Sequence, residues 1–147
     1  MDDVDKGIIE VLMKNSRATY KDISEKIGIS EVAVHKRIKK LKNIVKAFTI
    51  LVDQKAFGKE TTAMLLLKCE VGKTREIAKK LKDIEDICEV YTTIGEYDII
   101  AKVRTKNTES LKQLVEKKIS MLQGINELRA SIVFECFKEN VSLVLCP

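Results

Sequence analysis

Between Val32 and Val52 the chain has no acidic residue, yet Lys36, Arg37, Lys39, Lys40, Lys42 and Lys46 all fall inside that window. Cations at this density suit phosphate oxygens. Each lysine is a point charge that holds a backbone phosphate or makes one contact to guanine, whereas only arginine forms the two-pronged bond to a guanine edge. On a helix beginning after Ser30, 100° per residue puts Val32, Ala33, Lys36, Lys39 and Lys40 on one face, with His35 and Arg37 on its flanks and Val34, Ile38 and Leu41 opposite. Val32 and Ala33, apolar on an otherwise exposed face, suit thymine methyl groups, which leans the surface toward duplex DNA containing A·T pairs. The plain alternative is a solvated basic helix face, common in lysine-rich chains.

The elements that would carry this face favour DNA. Val4, Ile8, Val11 and Leu12 recur at helical spacing, with Asp2, Asp3 and Asp5 at the positive end of the helix dipole. Thr19 is placed to cap a short second helix with Ile23 and Ile27 inward and Gly28 at its end. Ser24 is small enough to let two helices approach. Ile29 returns to the core and Ser30 caps the third helix. Helix, glycine turn and basic helix are the layout of a helix-turn-helix, and the hydroxyls of Thr19 and Ser30 join the DNA-contact candidates. His35, the one histidine, has no carboxylate or serine at a telling spacing and reads as a groove-edge residue, not a catalyst.

Charge is divided unevenly along the 147 residues. Residues 1–50 hold eleven Lys/Arg against seven Asp/Glu, and the remainder sixteen against fifteen, so most of the net +5 lies in the first third. No apolar run reaches the roughly 18 residues of a membrane helix and the charged N-terminus opens no signal peptide, which predicts a cytoplasmic protein with no membrane partner. Cys69, Cys88, Cys136 and Cys146 form no C-x-x-C pair and read as reduced, mostly buried thiols. There is no phosphate loop, metal-spaced His/Cys set or partnered nucleophile, so neither enzyme activity nor a cofactor or metal is expected. A composition rich in lysine, glutamate and isoleucine with few glutamines fits a thermophilic source, and equally a genome of biased base composition.

Phe48–Val52 alternates as a strand and Asp53–Gly58 is rich in turn residues. This divides the chain into a DNA-binding domain over 1–52, a hinge over 53–60 and a second domain over 61–147. The second domain reads as two strand–helix–strand units: strand 61–71, helix 74–84 and strand 87–94, then strand 98–103, a helix capped by Asn107, and strand 127–137. That β-α-β-β-α-β order is the ferredoxin-like plan, and the whole chain is therefore α+β. Strands such as Met64–Leu67 and Ser131–Phe137 look apolar on both faces, and only one face has helices to cover it. Self-association is the simplest cover for the other. The apolar end, Val141–Pro147, is expected to dock on the sheet or on a partner.

The first domain resembles the Lrp/AsnC feast/famine regulators of bacteria and archaea. The resemblance runs through Asp2-x-x-Asp5-x-x-Ile8-Ile9-x-x-Leu12, Arg17, and Ile23-Ser-Glu-Lys-Ile-Gly-Ile-Ser30-x-x-x-Val34-x-x-Arg37-Ile38-x-x-Leu41. Departures are Ser24, where the family has a small apolar residue, and the exit from the third helix, about two residues short of the family's glycine-containing turn. The resemblance implies an archaeal transcriptional regulator with a winged-helix-like domain and a ferredoxin-like RAM/ACT-like domain. It further implies a homodimer, or larger rings such as an octamer, built through the second domain. Gly95-Glu-Tyr97-Asp98 matches the family's Gly-x-Tyr-Asp signature beside a site for small effectors, usually amino acids, which makes Gly95, Tyr97 and Asp98 candidate effector contacts; Gly124–Ser131 aligns with the segment flanking that site. Read from the residues alone, Gly95 and Asp98 could simply shape a turn. Two other classes compete with a sequence-specific regulator: an architectural DNA-binding protein with little sequence preference and no effector, and an enzyme subunit with a ferredoxin-like regulatory domain, which leaves the basic helix unexplained.

Overall fold

The computed structural model describes residues 1–139, which divide into two compact units meeting in sequence at Leu51/Val52. Unit one contains α1 (Asp3–Lys14), α2 (Tyr20–Ile27) and α3 (Glu31–Leu41). Each helix begins on a side chain that accepts an otherwise orphaned amide. Asp2 accepts from Asp5 N, Thr19 from Asp22 N and Ser30 from Ala33 N, with reciprocal capping boxes at Asp2/Asp5 and Thr19/Asp22. Gly28 ends α2 in the left-handed conformation at φ 78°, where a side chain would be strained. Ile8, Ile9, Val11, Ile23, Val34 and Leu41 make the core, with Ile27, Ile29 and Ile38 packed on it. The helices approach closely at Gly7, where a Cβ would sit 2.9 Å from Ile27 Cδ1. Ser24 Oγ donates to Lys21 O at 2.9 Å within α2.

Two expectations for the segment after α3 are corrected. Phe48–Val52 forms no strand, and no wing strand follows α3 among the described residues. A strand needs a ladder partner, and no described segment pairs with 48–52, so Phe48, Ile50 and Leu51 are left exposed. A single 3₁₀ turn, Lys55–Phe57, ends at Gly58 with φ 73°.

Unit two is an antiparallel sheet of β1 (Thr61–Cys69), β2 (Ile87–Thr92), β3 (Ile99–Thr105) and β4 (Ile125–Ile132), in the order β2-β3-β1-β4. Helices α4 (Thr74–Leu81) and α5 (Thr108–Leu114, continued by a π turn over Val115–Ile119) cover one face. This is the ferredoxin-like arrangement. Ala63, Leu65 and Leu67 of β1 and Ile99, Ala101 and Val103 of β3 are buried against Ile77, Leu81, Leu111, Leu114 and Ile119. Lys59 of the connector is tied to this unit by an ion pair with Asp86.

The last strand stops at Ile132, not at residue 137, because its partner runs out: the Val133 amide donates to Thr62 O at 2.8 Å, next to the start of β1. Phe134 and Phe137 are consequently exposed. The helix expected over 74–84 ends at Leu81, and β2 at Thr92. The uncovered sheet face is mixed, not apolar throughout. Register places Met64, Leu66, Ile100 and Tyr91 on it among Lys68, Glu89, Lys102, Glu127 and Arg129. The thiols also differ from expectation: Cys69 is half-buried, but Cys88 and Cys136 are exposed. Cys88 is the extra residue of a bulge on edge strand β2, and Cys136 lies beyond the end of β4. Cys146 and the Val141–Pro147 segment lie outside the described residues.

Candidate nucleic-acid interface and effector segment

The α3 surface is built by burial on its opposite side. With Val34 and Leu41 buried and Ile38 packed beside them, Val32, Lys36, Lys39 and Lys40 are turned outward and Ala33 is half-exposed. Val32 keeps 66% of its surface accessible, a high value for an aliphatic residue without a partner. Lys36, Lys39 and Lys40 have no carboxylate partner among the described residues. The hydroxyls of Thr19 and Ser30 accept from Asp22 N at 3.1 Å and Ala33 N at 3.2 Å. Accepting leaves each hydroxyl its proton, which can still be donated outward. The Thr19 amide and hydroxyl hold the Asp22 carboxyl below its usual range.

Two predicted contacts sit differently from the rest. His35 is half-buried with its ring 5.4 Å from that of Tyr20, at the start of α2, so the two helices of the motif meet through an aromatic pair. Arg37 turns away from the lysines: its Nη1 donates to Asp2 Oδ2 at 2.6 Å and to Asp5 Oδ1 at 2.7 Å. Neither Tyr20 nor the Asp2/Asp5 pair carries a local signal of these contacts in the sequence, because the partners are 15 to 35 residues away.

At the end of the sheet, Gly95, Tyr97 and Asp98 fall in the β2–β3 connection. Asp98 is engaged within the chain. Its Oδ2 accepts from the Cys69 amide at 2.7 Å, its own amide donates to Leu67 O and its carbonyl accepts from Thr93 N, both at 2.9 Å. Since β3 begins at Ile99, the carboxylate serves as one further rung on β1. The Cys69 thiol beside it is pushed up, first by burial and then by this negative charge. The Tyr97 ring lies 5.2 Å from Lys68 Nζ and 5.9 Å from Arg129 Cζ, two cations that both pair with Glu127. Glu127 is held below its usual range by Lys68 and then Arg129. Gly95 is in open space and outside the left-handed region, so nothing in the single chain demands glycine there.

Residues 1–42 match the AsnC-type helix-turn-helix domain, and residues 62–143 the Lrp/AsnC ligand binding domain. The HTH-type transcriptional regulator FL11 of Pyrococcus furiosus is 37% identical over 145 residues, covering 97% of this chain and 95% of its own. The regulator Ptr1 of Methanocaldococcus jannaschii is 34% identical over 141 residues, covering 95% of each. Escherichia coli AsnC superposes with a TM-score of 0.91 at 26% identity over 97% of both chains. A Neisseria meningitidis transcriptional regulator solved as an L-Met complex shares the fold, with a TM-score of 0.92 at 21% identity over 98% and 96% of the two chains. No helix among the described residues is long and apolar enough to cross a membrane. Two matched domains in the same order, near-full-length relatives named as regulators and a basic helix presented outward together place this chain in the Lrp/AsnC family as a DNA-binding, helix-turn-helix transcriptional regulator.

Proposed function

We propose that this regulator reads duplex DNA with the outward face of α3, as a dimer or higher assembly formed through the second domain, and that an amino acid bound near Gly95–Asp98 adjusts its activity. The observation that carries the DNA reading is the set Lys36, Lys39 and Lys40, exposed and unneutralised opposite the Val34/Ile38/Leu41 stripe. In this reading the lysines hold phosphates, Thr19 and Ser30 donate their hydroxyl protons, Val32 and Ala33 meet thymine methyls, and His35 lines the groove edge. Two such heads on a symmetric dimer fit half-sites roughly 34–36 Å apart. No catalytic step is part of it.

Support for the effector rests on the match to the ligand binding domain, on the L-Met complex of the Neisseria protein, and on Gly95, whose missing side chain leaves room for an approaching group. Asp98 is the ligand's neighbour more than its sole anchor, since one of its oxygens is already bonded to Cys69.

Lys36→Ala and Lys39→Ala test the reading head. Each is expected to weaken binding and to reduce the dependence of log K on log salt by about one unit per lost phosphate contact. Unchanged affinity and slope in both variants would place the DNA surface elsewhere. A thermal-shift panel of the twenty amino acids, beginning with L-Met, tests the effector, because a ligand bound only by the folded protein raises its melting temperature. Silence across the panel removes the effector and leaves a ligand-independent regulator.

A further inference from the structure

The cluster of Asp2, Asp5 and Arg37 knots the first turn of α1 to the middle of α3. Asp2 and Asp5 already cap α1 reciprocally, with Asp5 N donating to Asp2 Oδ1 at 2.8 Å and Asp2 N to Asp5 Oδ2 at 3.2 Å. Arg37 Nη1 adds bonds to Asp2 Oδ1 and Oδ2 at 2.8 and 2.6 Å and to Asp5 Oδ1 at 2.7 Å. The cluster therefore carries one negative charge overall. A DNA phosphate arriving at Arg37 would meet two carboxylates as well, so the guanidinium is a poor phosphate contact despite lying between Lys36 and the lysines at 39 and 40.

The geometry points to a different role. We infer that Arg37 is a positioning residue: with Asp2 and Asp5 it fixes the rotation of α3 about its axis, so that Val32 and Ala33 meet base edges in register, and it does not itself touch DNA. This rests on the reading of α3 as the DNA-reading helix. The inward stripe of α3 is wholly aliphatic, and hydrophobic burial is non-directional. Charge-assisted hydrogen bonds are directional, and here they join residues 32 to 35 positions apart. A rotation of about 20° at the roughly 5–6 Å radius of a helix with its side chains moves the contact atoms by about 2 Å. Such a shift breaks a hydrogen bond or methyl contact to a base edge, while flexible lysines still follow the phosphates. Loss of the knot is therefore expected to reduce discrimination between sequences and to spare general DNA affinity.

The test uses the full-length protein, a duplex recovered by selection from a random pool, and a shuffled duplex of the same composition, each titrated across a salt series. Arg37→Gln and the double variant D2N/D5N are each expected to lower the ratio of selected to shuffled affinity about tenfold, with the salt slope on shuffled DNA unchanged. The double variant is the sharper arm. Asparagine still caps a helix, so α1 keeps its start, and removing two negative charges from a DNA-binding domain would by electrostatics alone tighten binding. Two results overturn the inference. One is a slope lowered by about one unit in Arg37→Gln with the ratio intact, which would make Arg37 a phosphate contact. The other is a D2N/D5N protein that binds both duplexes as well as or better than wild type with the ratio unchanged.

Discussion

Asp98→Ala should destabilise the second unit even in the absence of any ligand. The carboxylate accepts from the Cys69 amide at 2.7 Å, beyond the last β1–β3 pair at Leu67 and Ile99, where β3 supplies no backbone acceptor. Hydrogen bonds to charged groups contribute about 1.5–3 kcal/mol, and the half-buried setting of Asp98 places this one near the lower end, about 1.5 kcal/mol. Unit two spans Val52–Lys138. For a domain of that size each kcal/mol shifts the melting temperature by about 4–8 °C, so a fall of roughly 6–12 °C is expected. Asp98→Asn keeps an uncharged acceptor and should lose about half as much. Circular dichroism melts of the three proteins at one fixed concentration measure this without interference from assembly. An Asp98→Ala protein that melts with wild type while losing its amino-acid response would refute the reasoning, because the carboxylate would then serve the ligand and not the strand.

Gly7→Val should lower stability by about 1–3 kcal/mol in chemical denaturation, since its branches press on Ile27, while Gly7→Ala should be nearly neutral, its gain in helix propensity offset by the 2.9 Å approach to Ile27 Cδ1. Asp2 and Asp5 have carboxyls lowered below 3.8, chiefly by Arg37, so their contribution to stability is complete above about pH 4 and is lost as pH falls through the depressed values; an acid titration of D2N/D5N should show a flatter loss of helix there than wild type. Leu66→Asp, on the uncovered sheet face beside Met64 and Ile100, should shift the protein to monomer in sedimentation at micromolar concentration, and an unchanged assembly would put the interface elsewhere.

Local chemistry was legible in the chain because it depends on near neighbours. Thr19, Ser30 and Asn107 cap the helices that follow them, Gly28 ends α2, and the 3.6-residue spacing of Val34, Ile38 and Leu41 tells which side of α3 faces in. The order of strands and helices in the second unit follows from the same short-range periodicities, while the Asp2–Leu41 pattern of the first domain carried the family resemblance. Pairings across long separations were decided by tertiary structure alone. Arg37 reads as one more cation of a basic run until α1 brings Asp2 and Asp5 beside it. Asp98 reads as a turn or ligand residue until the sheet order places the Cys69 amide at its side chain. Phe48–Val52 has the alternation of a strand, but alternation reports only a preference, and a strand exists where another segment completes its ladder. The last strand ends at Ile132 for that same reason: its hydrophobic pattern runs on to Phe137, but its hydrogen-bonding partner does not.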